Sequence, residues 1–369
     1  QNPGRFTRIV VHGRTVRHYI ASYRKIVQEI TSLTTCIAMS TPAVQALSHL
    51  VRDVTMKSIV LSAFGTMPIV DERPLPVAGP QEILIRMTHA SLNPIDRRIA
   101  EGFFKDRFEH RFPLTLGIDG AGVVESIGEQ VSDFEVGDSV FGRFLHSYVG
   151  NGSFSEYVAI SADATLLHTP LGVPPALAAA LPTAATTALQ AVESLGLPPG
   201  SVVLIMGATG GVGTFAVQLA RAKGYQVLAS ASTEAAPWLA QLGVEHVFDR
   251  TQNVPERLST GWPAGINGLI DLVNPAPAFA ELVSCIAPGG TALSSIWSAT
   301  ADVAAARGVR AVNLEMLPNR EDLRTLARQV LSGSLRVVID KHISLEAVPA
   351  VMSQRQAGGA RGKTVIDIA

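Results

Sequence analysis

The stretch "VVLIMGATGGVG", Val202 to Gly213, sets five apolar residues suited to a buried strand directly before four glycines within seven positions. A strand that feeds a glycine turn and then a helix brings free backbone N–H groups and the positive end of a helix dipole to one point. Such a point suits a pyrophosphate. Gly207, Ala208, Thr209, Gly210, Gly211, Val212 and Gly213 are therefore candidate cofactor contacts. Glycine clusters also occur as plain tight turns, so the flanks decide between the two readings. The following "GVGTFAVQLARAKG" has the pattern of a helix ending at Gly224, and "YQVLASAS" follows as a strand. That strand–turn–helix–strand context is what a dinucleotide-binding loop requires.

An acidic residue ~20 residues past such a loop holds the ribose hydroxyls of NAD, whereas basic or hydroxyl groups favour NADP. Here the second strand ends "ASAST", Ala229 to Thr233, and no carboxylate occurs before Glu234. Ser230, Ser232, Thr233 and, beyond the third strand, Arg250 are candidate contacts for a 2′-phosphate, so NADPH is the expected cofactor. The same hydroxyls also suit a helix cap for the segment beginning at Glu234.

Outward from the loop, "TEAAPWLAQLGV" reads as a helix, and "HVFD", "GLIDLVN" and "TALSSIW" as further buried strands. Asn274, which ends the second of these, is a further candidate cofactor contact. Strands alternating with helices from Pro182 to Pro318 predict a parallel, doubly wound sheet. Upstream, from Met56 to Leu181, short apolar runs such as "SIVLSAF", "EILIRMTHASL", "AGVVESIG", "DSVFGRF" and "SEYVAI" predict a β-rich, partly open barrel or sandwich. Downstream, "NREDLRTLARQVLSGSL" reads as a helix, "RVVID" as a strand, and "KTVIDI" as a final strand after a short helix. The expected organisation is an extension over 1–55, a first domain over 56–181, a dinucleotide-binding domain over 182–318, and a segment over 319–369 that returns to the first domain.

The extension holds Arg5, Arg8, Arg14, Arg17, Arg24, Lys25 and Arg52 against Glu29 and Asp53. An organellar targeting segment, sequence upstream of a start at Met56, and an accessory helix around Tyr19 to Leu33 all fit this composition.

Composition excludes several classes. With 47% hydrophobic and 17% charged residues the chain is globular, and a net charge of -1 gives no general field for nucleic acid or an anionic membrane. Cys36 and Cys285 are too few for a disulfide framework or a four-cysteine zinc site, which suits a reducing, cytoplasmic location. The longest apolar stretch, Pro174 to Val192, is interrupted by Pro182 and several threonines, so no bilayer span is expected. No tyrosine follows Tyr225, which rules out the short-chain dehydrogenases and their downstream Tyr–Lys pair.

The segments "HASLNPIDRRIAEG" (His89 to Gly102) and "PLTLGIDGAGVVESIGEQVSDFEVGDSVFGRF" (Pro113 to Phe144), with "GATGGVG" and "RGKTVI", resemble the medium-chain dehydrogenase/reductase superfamily. The resemblance is to its zinc-independent quinone oxidoreductase (zeta-crystallin-like) branch and runs from Met56 to Ala369. It implies an α/β chain: a GroES-like, partly open β-barrel domain and a Rossmann doubly wound domain, paired as a homodimer with "TALSSIW" at the edge. Zinc-dependent relatives place a Cys and a His–Glu pair where this chain has Asn93 and Ile118–Asp119. A tetrahedral zinc draws on nitrogen and sulfur ligands, so no metal is expected.

By the same resemblance Asn93 lies beside the nicotinamide and offers its amide to a developing oxyanion, although Asn-Pro also simply starts turns. Thr186 in "TAATTAL" is implied to contact the cofactor, with ordinary helix packing as the alternative. Arg98 and Phe104 stand where relatives often carry tyrosines. Phe104 cannot donate a proton, and Arg98 either attracts an anionic substrate or sits on a solvated helix face. Tyr148 is a spare donor, while Lys363 and Arg361 either meet cofactor phosphate or close a terminal turn. The implied activity is NADPH-dependent reduction of a quinone or α,β-unsaturated carbonyl, with no nucleic-acid or membrane partner. An enoyl-thioester reductase and a low-turnover NADPH-binding protein with a structural or RNA-binding role are the alternatives.

Overall fold

In the computed structural model, which describes residues 55–300, 308–354 and 360–368, the chain forms three sheets. The arginine-rich extension, including the helix expected around Tyr19 to Leu33, lies outside the described residues up to 54. The first sheet contains β1 (Thr55–Leu61), β2 (Ile69–Pro74), β4 (His110–Thr115) and β7 (Val149–Asn151) in the order β2-β1-β4-β7.

The second runs β16 (Ile339–Ser344), β17 (Lys363–Asp367), β3 (Glu82–Leu92), β5 (Asp119–Ile127), β6 (Ser139–Arg143) and β9 (Leu166–His168), with β8 (Tyr157–Ser161) also paired to β3. Alternation along β3 explains why it sits centrally. Ile83, Ile85 and Met87 face a core with Val140, Phe144 and Ile160, whereas Leu84 packs on the other side with Met56 and Tyr157. Among the described residues neither sheet closes on itself and each keeps two free edges, which makes the barrel partly open.

The third sheet has the order β12 (His246–Asp249), β11 (Gln226–Ala231), β10 (Val202–Met206), β13 (Ile266–Asp271), β14 (Ile286–Ser294) and β15 (Arg310–Asn313), and each neighbouring pair is parallel. This is the doubly wound order of a dinucleotide-binding domain. Its strands are covered on both faces. Val203 and Ile205 pack with α3 (Pro182–Leu195) and α4 (Gly211–Ala222), while Leu204 packs beneath α7 (Ala276–Val283). Ala184, Ala188, Ala216 and Ala220 are fully or almost fully buried there, and their small side chains let the helices lie close to the sheet.

Two expectations are corrected. "TALSSIW" falls largely in β14, which is interior, and the edge is the four-residue β15, too short to stand out as a pattern. The strand expected at "RVVID" begins only at Ile339 and continues to Ser344. The chain then returns: α8 (Arg320–Leu331) packs Leu323 and Leu326 onto the core of α3, and β17 pairs with β3 through Val365↔Ser91. Among the described residues no helix is long and apolar enough to cross a membrane.

Candidate active site

The glycine loop turns where β10 ends. Gly207 has φ +78°, and Gly210 occupies the cap position of α4 without any side-chain capping bond. Among the described residues the amides of Val212 and Gly213 have no backbone acceptor, while Gly211 N–H faces Gly362 O across a parallel bridge, so open donors stand at the start of a helix. Gly213 is required by contact, since a Cβ there would lie 2.2 Å from Gly207 O.

Against this loop runs the approach to the last strand. Gly362 N donates to Thr209 O at 2.9 Å, and the Lys363 side chain passes beneath Gly211, where an added Cβ would meet its Cδ at 2.8 Å. The buried Lys363 ammonium then donates to Leu92 O at 3.0 Å and to Asn93 Oδ1 at 2.5 Å. Asn93 caps α1 (Pro94–Ala100), whose first residue, Pro94, needs no hydrogen-bond acceptor.

Around Asn93 the polar groups pair closely. Its N–H donates to Asp96 Oδ2 at 2.7 Å, and its Nδ2 donates to Asp119 Oδ2 at 2.9 Å and Ser91 O at 3.3 Å. Lysine on one side and carboxylate on the other fix which way the amide faces. Thr183, at the N-terminus of α3, completes Asp119 through its N–H (2.9 Å to Oδ2) and hydroxyl (2.7 Å to Oδ1). Burial pushes the Asp96 carboxyl up to about 7 against the hydrogen bond from Asn93, with Asp119 adding to the rise and Lys363 and Arg143 opposing it. Burial likewise holds Lys363 below the usual lysine range, opposed by Asp119 and Asp96.

This set does not fit zinc. Ile118 is apolar and buried, Asn93 Oδ1 already receives an ammonium, and amide and hydroxyl donors point at Asp119. Among the described residues no group of three or more His, Cys, Asp or Glu is arranged to hold a metal ion. A dinucleotide fits better, because the loop offers free amides and room made by absent side chains.

The other candidates divide. The Asn93 amide, expected to face a developing oxyanion, is spent on Asp119 and Ser91, so Asn93 here is the hub that positions Lys363 and Asp119. Arg98 is half-buried, with its guanidinium 5.3 Å from the centre of the exposed Phe103 ring. Phe104 packs against the core beside α1. Tyr148 lines a recess with Ile99, Ile118 and Phe144, and its hydroxyl accepts from Asn151 Nδ2 at 2.7 Å.

Thr186 is buried on α3, one turn beyond Thr183. Ser230 is next to last in β11 and buried; Ser232 occupies a cap position but makes no side-chain capping bond, contrary to the alternative that these hydroxyls only cap a helix. Thr233 and Arg250 are exposed, and Arg250 N donates to Ala231 O at 2.9 Å, which brings Arg250 beside the end of β11. Asn274 is instead turned back, with Nδ2 2.9 Å from Asp271 Oδ2. Arg361 is exposed. Asp96, Asp119, Thr183 and Arg143 were missed; the available signal was a charge inside an apolar run, as in "LGIDGAGVV" and "SVFGRF".

The chain matches two families, "Alcohol dehydrogenase GroES-like domain" over residues 79–170 and "Zinc-binding dehydrogenase" over 242–366. It is 30% identical to a chloroplastic quinone-oxidoreductase, QR1, of Triphysaria versicolor, over 80% of this chain and 92% of that one. It is 31% identical to a 2-methylene-furan-3-one reductase of Solanum lycopersicum, over 77% of this chain and 71% of that one. Among solved structures, the quinone oxidoreductase of Coxiella burnetii superposes with a TM-score of 0.77 at 29% identity, covering 85% of this chain and all of the other.

Proposed function

Since the chain belongs to the medium-chain dehydrogenase/reductase superfamily, in its quinone oxidoreductase branch, we propose that it is a zinc-independent, NADPH-dependent reductase of quinones or α,β-unsaturated carbonyls. The observation that carries this reading is the Lys363 bridge. One buried lysine joins the loop at Asn93, through its ammonium, to the glycine turn, through its aliphatic stem, and its ammonium takes the Asn93 oxygen that a metal would need.

The amides of Val212 and Gly213 hold the pyrophosphate, and Thr186 lies on the nicotinamide side. Ser232, Thr233 and Arg250 take the 2′-phosphate, since two hydroxyls follow the end of β11 and Arg250 follows the end of the neighbouring β12, where the Asp249 carboxylate is engaged by Thr251. When bound, the reduced nicotinamide supplies a hydride. A conjugated acceptor suits these residues because the charge developing on its oxygen can be met by hydrogen-bond donors without a Lewis acid. Phe104 offers no proton, which favours quinones and simple enones over enoyl thioesters; Tyr148 or solvent completes protonation.

The test is loss of nicotinamide absorbance with NADPH, and separately NADH, across a panel of quinones and enones in the presence of a chelator. Turnover with NADPH that survives chelation is expected. Activity removed by the chelator, or silence across the panel despite cofactor binding, would overturn the proposal.

A further inference from the structure

Arg143 ends β6 and stands directly opposite Asp119 in the β5–β6 ladder. It is 6% exposed. A guanidinium carries five N–H donors, yet among the described residues the acceptor it reaches is Met316 Sδ, 3.9 Å from Nη1, and its Nε is buried without a partner. Among the described residues it forms no ion pair: Asp119 is occupied by Asn93 and Thr183, and the bonded oxygen of Asp96 by Asn93 N–H. Leaving a buried charge unpaired is strongly destabilising, and a buried donor left without an acceptor calls for a specific cause.

The surroundings show what kind of cause fits. Phe141, two residues earlier on the same strand face, packs against α2 (Pro175–Ala179) and α3, so Arg143 emerges beside the N-terminus of α3 and meets the segment after β15 at Met316. Phe144, the residue after Arg143, and Ile118, the residue before Asp119, line the recess at Tyr148 in which the acceptor would sit. The glycine loop lies on the opposite side of Lys363, and the exposed Arg250 stands at the far strand ends. Charges in the cluster also fail to cancel. With Asp96 partly protonated near neutral pH, two cations, Arg143 and Lys363, face chiefly one carboxylate, Asp119.

We propose that Arg143 anchors a carboxylate of the acceptor, so that the preferred substrate is an enone or quinone bearing a carboxylate rather than a neutral one. This rests on the reductase reading above and deepens it. A carboxylate pairs with guanidinium through two parallel hydrogen bonds, which satisfies the orphaned Nε and neutralises the excess charge. The anchored group takes no part in the hydride step.

A matched pair of probes separates charge from reactivity: 3-benzoylacrylate and its methyl ester carry the same enone. Steady-state rates with NADPH are measured for the wild type, Arg143→Met, Arg143→Gln and Arg143→Lys. Binding of the unreactive 3-benzoylpropionate to the NADP-loaded proteins is followed by calorimetry. The wild type should favour the acid by at least ~10-fold in kcat/KM. Arg143→Met and Arg143→Gln should erase that preference and the calorimetric binding while still reducing the ester, and Arg143→Lys should retain part of both. Replacing an unpaired buried charge by an apolar chain of similar length should not lower the melting temperature.

Equal treatment of acid and ester by the wild type would overturn the proposal. So would a parallel loss for both substrates in Arg143→Met, which would assign Arg143 to the carbonyl oxygen instead. If no protein reduces either probe, the reductase reading falls and calorimetry alone decides: carboxylate binding that disappears in Arg143→Met upholds the anchor, and no binding by the wild type ends it.

Discussion

Asp96 is a buried carboxyl with a hydrogen bond from Asn93 N–H at 2.7 Å and an Oδ1 that has no partner. Burial, aided by Asp119, raises its pKa from 3.8 to about 7. Between those values the folded protein keeps a proton that the unfolded chain has released, so this group lowers stability as pH rises from about 4 to about 7. Asp96→Asn keeps an acceptor for Asn93 N–H and cannot ionise. Its stability relative to the wild type should therefore rise across that window, by on the order of a few kcal/mol at pH 8. Melts of both proteins at pH 5 and pH 8 check this; parallel pH profiles would contradict it. Arg250 makes a second prediction at this scale. Arg250→Ala should weaken NADPH binding by roughly tenfold, leave NADH binding unchanged and leave the melting temperature where it was, as read by fluorescence titration and calorimetry. The polar groups of the site were legible one at a time, in "LNPID" and "RGKTVI". Their meeting was not, because Asn93 and Lys363 are 270 residues apart and nothing local encodes their contact. Arg143 was visible only as a charge inside an apolar strand, a signal that says something is unusual without saying what it faces.

Gly213 and Gly210 separate two reasons for glycine within one element. Gly213 lies in the first turn of α4, where alanine is intrinsically favoured by ~1 kcal/mol, yet its Cβ would lie 2.2 Å from Gly207 O and 2.6 Å from Ala208 Cα. Both are backbone atoms of the turn itself. Gly213→Ala should therefore lower stability by more than ~2 kcal/mol and weaken NADPH binding with it. Gly210 has an ordinary φ of -76° and its Cβ would come no nearer than 3.4 Å to Gly207 O, so Gly210→Ala should stay within ~1 kcal/mol of the wild type. Denaturant titration of the two variants makes the comparison; equal losses would show that the contact is not what selects glycine. The same element was the most readable part of the chain, because strand, turn and helix each carry their own periodicity. Legibility failed where length or continuity ran out: β15 is four residues long, and the interior β14 reads alone like any terminal strand.

The open end of the third sheet bears on the whole molecule. At the β12 edge, Trp262 packs over His246 and Phe248 with ring centres 5.7 and 5.8 Å apart. At the other edge no strand lies outside β15 among the described residues, and Ala311 and Val312 remain half-buried. A bare edge is a template for pairing with another chain, and here it leads into a strap that holds the two domains together. Arg107 pairs with Glu315, Arg143 touches Met316, and Gln190 exchanges hydrogen bonds with the backbone of Leu317 at 2.8 and 2.9 Å. Two copies joined edge to edge at β15 would fix that strap from outside while leaving the glycine loop, three strands away at β10, untouched. Light scattering should thus give twice the 39.0 kDa chain mass, and dilution into the monomer range should raise the KM for the acceptor without changing the Kd for NADPH. A monomer at all concentrations would remove this role for β15. Dissociation that weakens cofactor binding first would show instead that the dimer supports the nucleotide side of the cleft.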